Sequence, residues 1–234
     1  MANNWRIASP DGRREASNAI RLVVFDCDGT LVDSQATIVA CAQAAFQAEG
    51  LAVPSAEAIR RIVGLSLVEA VLELMTEPDP ARAPILAEHY KAAFLDYRAR
   101  PEFHEPLFPG ARELLDELQA RDLVLGIATG KAMRGLRAVL EHHGLERHFA
   151  TLQTADLHPS KPHPAMLQAA MTESGVASTA TMLIGDTTYD ILMARAADAV
   201  PIGVGWGNHP SAELVEAGAA RVLQRFDELP GLLQ

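Results

Sequence analysis

An open, doubly wound parallel α/β sheet with an inserted helical domain is the fold class that this sequence predicts. Three observations predict it. Short apolar, β-branched runs recur along the chain and end in polar residues. Helix-spaced segments with clear punctuation separate them. One long stretch breaks the alternation with helices alone.

The elements follow in order. RLVVFD, residues 21–26, reads as a buried strand, and so do LVLGIAT (123–129), ATMLIGD (180–186) and VPIGVGW (200–206). ARELLDELQARD (111–122) has helical spacing and is punctuated at its start by Pro109-Gly110. A helix over 133–145 stops near Gly144, and one over 163–175 carries Pro164 in its first turn and Gly175 at its end. YDILMARAADA (189–199) follows the third strand. Between Ser34 and Arg100 the segments TIVACAQAAFQAEG, EAIRRIV, SLVEAVLELM and ILAEHYKAAFLDYR all suit helix, interrupted at Pro54 and at Glu77-Pro78-Asp79-Pro80. The expected organisation is a loose leader over 1–19, an α/β core from 20–34 and 104–234, and a helical insert over 35–103.

Composition narrows the function. The chain has 234 residues, 49% hydrophobic and 21% charged, which is the balance of a globular protein. Its 30 acidic residues exceed its 20 basic ones, for a formal charge of −10. Such a chain is a poor sequence-independent partner for nucleic acid or an anionic membrane. A small phosphorylated metabolite remains a suitable partner if a metal and a lysine supply local positive charge. No window is apolar enough to span a bilayer. Two cysteines, Cys27 and Cys41, form neither a disulfide framework nor a zinc pattern, and they fit packing in a reducing cytoplasm. An apolar insert face and a dimer face look alike in sequence, so monomer and homodimer both fit.

The stretch VVFDCDGTLVDS holds the chemistry. Side chains alternate faces along a strand, so Asp26 and Asp28 point the same way and Cys27 the other. Two carboxylates on one side bind a hard cation, or divide roles as nucleophile and general acid/base. An Asp-Gly turn reads the fragment equally well. The other strand ends weigh against the turn. The second ends in Thr129-Gly130-Lys131 and the third in GDTTYD, with Asp186 and Asp190, while SKPHP pins Lys161 between prolines. In open parallel sheets ligands bind beyond the carboxyl ends of the strands. That topology brings Asp26, Asp28, Thr129, Lys161 and Asp186 toward one crevice.

The order DCDGTLVDS, strand-terminal Thr, KP, then GDTTYD resembles the haloacid dehalogenase superfamily of phosphohydrolases, whose core is Rossmann-like. The insert after the first motif is similar to the superfamily's first, helical cap type. FPGARELLDELQARDLVLGIATGK and the tail WGNHPSAELVEAGAARVLQRFDELPGLL resemble the phosphoglycolate phosphatase-like branch. The resemblance implies a Mg²⁺-dependent phosphomonoester hydrolase, with phosphoglycolate as candidate substrate. Asp26 would attack phosphorus and form an aspartyl-phosphate. Asp28 would protonate the leaving oxygen and then activate water. Thr129 and the Gly130 backbone would hold phosphoryl oxygens, and Lys161 would neutralise them. Asp186, the Asp26 carboxylate and the Asp28 carbonyl would ligate Mg²⁺. Asp190 would support that shell or pair with Lys161.

Two departures stand out. Gly130 replaces an asparagine common at that point of the branch. Asp28 is absent from the namesake dehalogenases, so dehalogenation is disfavoured. Arg60, in RRIVGLS, is a candidate reader of a second acidic group on the substrate, against the plainer reading of a surface arginine. Lys131 is expected to be solvated at a helix start. His142, His143 and His148 sit near a helix end, away from the crevice. A phosphomutase would use the same aspartyl-phosphate. A phospho-accepting receiver module would lack both Asp28 and the insert.

Overall fold

The protein is described by a computed structural model, which covers residues 19–100 and 103–233; nearly all of the expected leader lies outside the described residues. Six strands form one all-parallel sheet: β1 (Leu22–Phe25), β2 (Val124–Thr129), β3 (Thr151–Thr154), β4 (Thr181–Gly185), β5 (Val200–Val204) and β6 (Arg221–Leu223). Their order is β3-β2-β1-β4-β5-β6. Chain progression reverses between β1 and β4, which puts the switch-point crevice above β1.

The strands are apolar because both faces are covered. Val23, Phe25 and Cys27 enter one core, with Leu114, Leu115 and Leu118 of α5 (Ala111–Ala120) and Leu136, Val139 and Leu140 of α6 (Met133–His143). Leu22 and Val24 enter the other, with Met166, Leu167 and Ala170 of α7 (Ala165–Ser174) and Met193 and Ala194 of α8 (Thr188–Ala196). This period-two division is what the β1 sequence encodes. It assigns Cys27 to packing, where burial first and Asp28 second push its thiol well up from the usual value. A last helix, α9 (Ser211–Ala217), lies between β5 and β6.

The sequence reading finds four strands, and β3 and β6 are additions to it. Thr151–Thr154 reads TLQT, too polar for an apolar run. Arg221–Leu223 is three residues long. Both are edge strands, where pairing with one neighbour suffices and the apolar signal fades.

After β1 come four helices and no strand: α1 (Gln35–Ala48), α2 (Ala56–Arg61), α3 (Leu67–Leu74) and α4 (Ala83–Arg98). Phe46, Val71, Met75, Ala83 and Leu86 give this segment a small core of its own. Its exit and return segments run side by side. The Asp33 amide donates to the Pro106 carbonyl (2.8 Å) and the Phe108 amide to the Leu31 carbonyl (2.9 Å).

Candidate active site

Asp26 is the residue after β1 and is 1% exposed. Its amide donates to the Ile184 carbonyl of β4, which locks the strand end. Lys161 Nζ lies 2.9 Å from Asp26 Oδ1 and 2.6 Å from Asp190 Oδ1, with all three side chains buried. Neither Asp26 oxygen has a well-aligned hydrogen bond, and Oδ2 has no partner of any kind among the described residues.

Asp186 follows β4 and is fully buried. Thr30 Oγ1 donates to its Oδ1 (3.0 Å), and the Asn208 amide and Nδ2 both donate to Oδ2 (2.8 Å each). Gly29 stands over this carboxylate with φ +82°, where any Cβ would overlap Oδ2. The position needs glycine for both backbone sign and space. Asp190 caps α8. Its Oδ2 accepts from the Thr187 amide (3.1 Å) and Thr187 Oγ1 (2.7 Å), while Oδ1 takes Lys161.

Oxygens of Asp26, Asp186 and Asp190 lie within 4.8 Å of one another. Burial first raises the Asp26 carboxyl to about 6, opposed by Lys161 and reinforced by Asp190. Burial, then Asp26 and Asp190, raise Asp186 to about 8. These are the signs of too many carboxylates for one lysine. The donor set fits a hard divalent cation: all oxygen, buried, with Asp26 Oδ2 unclaimed and a spare lone pair on Asp186 Oδ1. Asp190 has both oxygens engaged and supports from behind.

Asp28 is buried too, though less completely than Asp26, at 9% exposed. Ser34 Oγ donates to its Oδ1 (2.6 Å), and Lys131 Nζ lies 3.1 Å from that same oxygen. Lys131 is therefore a correction to the sequence expectation. Its side chain is 10% exposed and its ammonium sits 5.3 Å from the Phe94 ring centroid of α4. Periodicity could not find it, because what buries it is the helical segment arriving from far away in sequence.

Thr129 ends β2, 1% exposed, and its Oγ1 accepts from the Lys131 amide (3.3 Å). Gly130 lies under the α2–α3 turn: a Cβ there would come within 2.5 Å of the Leu65 carbonyl oxygen and 2.6 Å of that of Gly64. The helical segment closes on the core at this glycine. Three further contacts tie the same turn down. The Ser66 amide donates to Ser160 Oγ (2.8 Å), the Arg61 carbonyl accepts from His209 Nε2 (3.1 Å), and the Arg61 guanidinium pairs with Glu213. Arg60 is half-buried, and its side chain has no hydrogen bond or ion pair among the described residues. Of the histidines, His143 Nε2 meets the Glu105 carbonyl (2.9 Å) and His148 meets Asp116 (2.8 Å), and neither pairs with a carboxylate of the crevice.

Sequence reasoning missed Thr30, Ser34, Lys131 and Asn208 as neighbours of the carboxylates. Thr30 and Ser34 were in plain view inside DGTLVDS. Asn208 lies in the loop after β5 and could be found only by knowing that β5 adjoins β4.

Comparison with known proteins agrees with this geometry. Residues 23–204 match the haloacid dehalogenase-like hydrolase family. A probable phosphatase, IndB, of Dickeya dadantii is 35% identical over 213 residues, covering 90% of this chain and 92% of its own. A phosphoglycolate phosphatase of Chromobacterium violaceum is 31% identical over 218 residues, covering 92% and 97%. The crystal structure of a hydrolase from Pseudomonas syringae, 30% identical, superposes with a TM-score of 0.79 over 91% of this chain and 97% of that one.

Proposed function

The chain belongs to the haloacid dehalogenase-like hydrolase family as a phosphatase of the phosphoglycolate phosphatase-like kind, and we propose that it is a Mg²⁺-dependent hydrolase of small phosphomonoesters, with phosphoglycolate as the first candidate substrate. One observation carries the reading: a buried carboxylate with an unclaimed oxygen, Asp26 Oδ2, beside a buried lysine and separated by one residue from a second, less buried carboxylate. That is a nucleophile, its charge partner and a proton carrier in one crevice.

The chemistry follows from those positions. Asp26 attacks phosphorus in line with the leaving oxygen, and the bond to that oxygen breaks. Asp28 gives the departing oxygen a proton, then takes one from the water that hydrolyses the aspartyl-phosphate. Lys161 offsets charge on Asp26 and the phosphoryl oxygens, while Thr129 and the Gly130 backbone orient those oxygens. Asp26, Asp186 and the Asp28 carbonyl would hold Mg²⁺, which would supply further neutralisation of the phosphoryl group. The four helices over 35–103 act as a cap, and closure at the α2–α3 turn shields the reaction from bulk water. We place the enzyme in the cytoplasm on its two free cysteines; no helix among the described residues is long and apolar enough to cross a membrane.

The test is phosphate release from a panel of phosphoglycolate, sugar phosphates and nucleotides, with Mg²⁺ and with EDTA. Turnover of at least one ester is expected with Mg²⁺, none with EDTA, and recovery when Mg²⁺ is restored. Metal-independent turnover would remove the role given to Asp186.

A further inference from the structure

We propose that Lys131 is a specificity-determining residue of this site, selecting esters whose leaving alcohol carries a second anionic group, either a carboxylate or a phosphate. The inference rests on the phosphatase reading and names the substrate feature that the site reads.

The argument starts from where the two lysines stand. Lys161 is held between Asp26 and Asp190, on the side of the nucleophile. Lys131 stands beside Asp28. Asp28 serves the leaving oxygen, so a group next to Asp28 is next to the leaving alcohol. An ammonium has three N–H donors. Asp28 Oδ1 takes one, and no other hydrogen-bond acceptor or ion-pair partner of Nζ occurs among the described residues. The side chain is nonetheless only 10% exposed, so water does not fully take over the remaining donors. The Phe94 ring covers one flank and can attract the charge, though it offers no lone pair.

Holding a cation in so enclosed a place needs negative surroundings. Burial pulls the Lys131 ammonium down, and the Asp28 carboxylate first, with Glu105 behind it, more than offsets that, so the group keeps its charge across the neutral range. Glu105 is 3% exposed, and its Oε1 has no hydrogen-bond partner. A charged ammonium with unfilled donors, at the seam between α4 and the core, is a ready receptor for an anion carried by the substrate. Pairing with Asp28 alone would explain the charge and leave the open donors unexplained.

The experiment compares esters that differ in that one charge. Ethyl phosphate has a leaving alcohol close in size to that of 2-phosphoglycolate and no second charge. The bisphosphate of ethylene glycol carries a phosphate in place of the carboxylate, so the two charged esters separate the two sources of the anion. With Mg²⁺ present, the unaltered enzyme is expected to favour one charged ester over ethyl phosphate by about tenfold or more in kcat/KM, mainly through KM. Lys131→Met should shrink that preference about tenfold, and Lys131→Arg should keep most of it. Lys131→Gln carries the same expectation as Lys131→Met should that variant fail to fold. No preference in the unaltered enzyme overturns the proposal, as does an equal loss on charged and uncharged esters in the methionine variant. Turnover of ethyl phosphate without such a preference leaves the hydrolase reading standing; failure of all three esters overturns the proposal, and failure of the sugar phosphates and nucleotides with them overturns the hydrolase reading too.

Discussion

Asp26 and Asp28 are separated by one residue and live in different surroundings. Asp26 is sealed among Lys161, Asp186 and Asp190, whereas Asp28 keeps one oxygen, Oδ2, clear of the Ser34 and Lys131 contacts. The proposed division of roles, Asp26 as nucleophile and Asp28 as acid/base, rests on this difference. Asp26→Asn removes the nucleophile, so turnover is expected to drop at least ~10³-fold. The fold should survive, because Lys161 retains Asp190, and Tm should fall by no more than about 4 °C. Substantial residual turnover would take the nucleophilic role from Asp26. Asp28→Asn should behave differently: a loss of roughly 10²–10⁴-fold on alkyl phosphates. The loss should be much smaller on p-nitrophenyl phosphate, whose leaving group needs little protonation. Equal losses on both esters would exclude Asp28 as the acid.

At the scale of elements, closure runs through a few backbone atoms. The α2–α3 turn rests on Gly130, the Ser66 amide on Ser160, and the Arg61 carbonyl on His209. Ser160 and His209 are sequence neighbours of Lys161 and of Asn208, so seating the turn bears directly on the groups around the carboxylates. Gly130→Ala places a methyl group against the Gly64 and Leu65 carbonyls. It should hold the turn off the core and cut kcat/KM about tenfold or more. Stability should change little, since the helical segment has its own core. Hydrogen exchange at the Ser66 amide reports the same event and should speed up. Activity within twofold of the unaltered protein would mean that this contact takes no part in catalysis. The Arg61–Glu213 pair is exposed, where water and salt screen it, and its removal should matter less. The glycine was legible in the sequence as a departure from a familiar pattern. Its reason was not, because it depends on a contact between residues 64–65 and 130. The same limit hid Lys131, whereas the order of β1, β2, β4 and β5 and their carboxyl-end residues could be read directly from apolar runs and punctuation. The edge strands β3 and β6 escaped because a short strand with one paired neighbour carries little apolar signal.

For the whole molecule, the crevice concentrates negative charge in a chain that already carries −10. Asp26 and Asp186 are both raised above the ordinary carboxylate range near 4, to about 6 and about 8. Between those values and 4 the folded state holds more protons than the unfolded state. Stability from this pair is therefore complete below about pH 4 and is lost as pH rises through 6 toward 8. In EDTA, Tm should decline over that window, and Asp186→Asn should flatten the decline. Mg²⁺, as proposed, would bind the ionised carboxylates and compete with protons there. Its stabilisation should then be small at pH 5 and large at pH 8, growing with the logarithm of its concentration once the site is filled. Differential scanning at the two pH values, with Mg²⁺ and with EDTA, separates this account from a purely structural acidic cluster. A Tm in EDTA that holds steady or rises from pH 5 to 8, or a Mg²⁺ increment no greater at pH 8 than at pH 5, would mean that the carboxylates are not held apart for a cation.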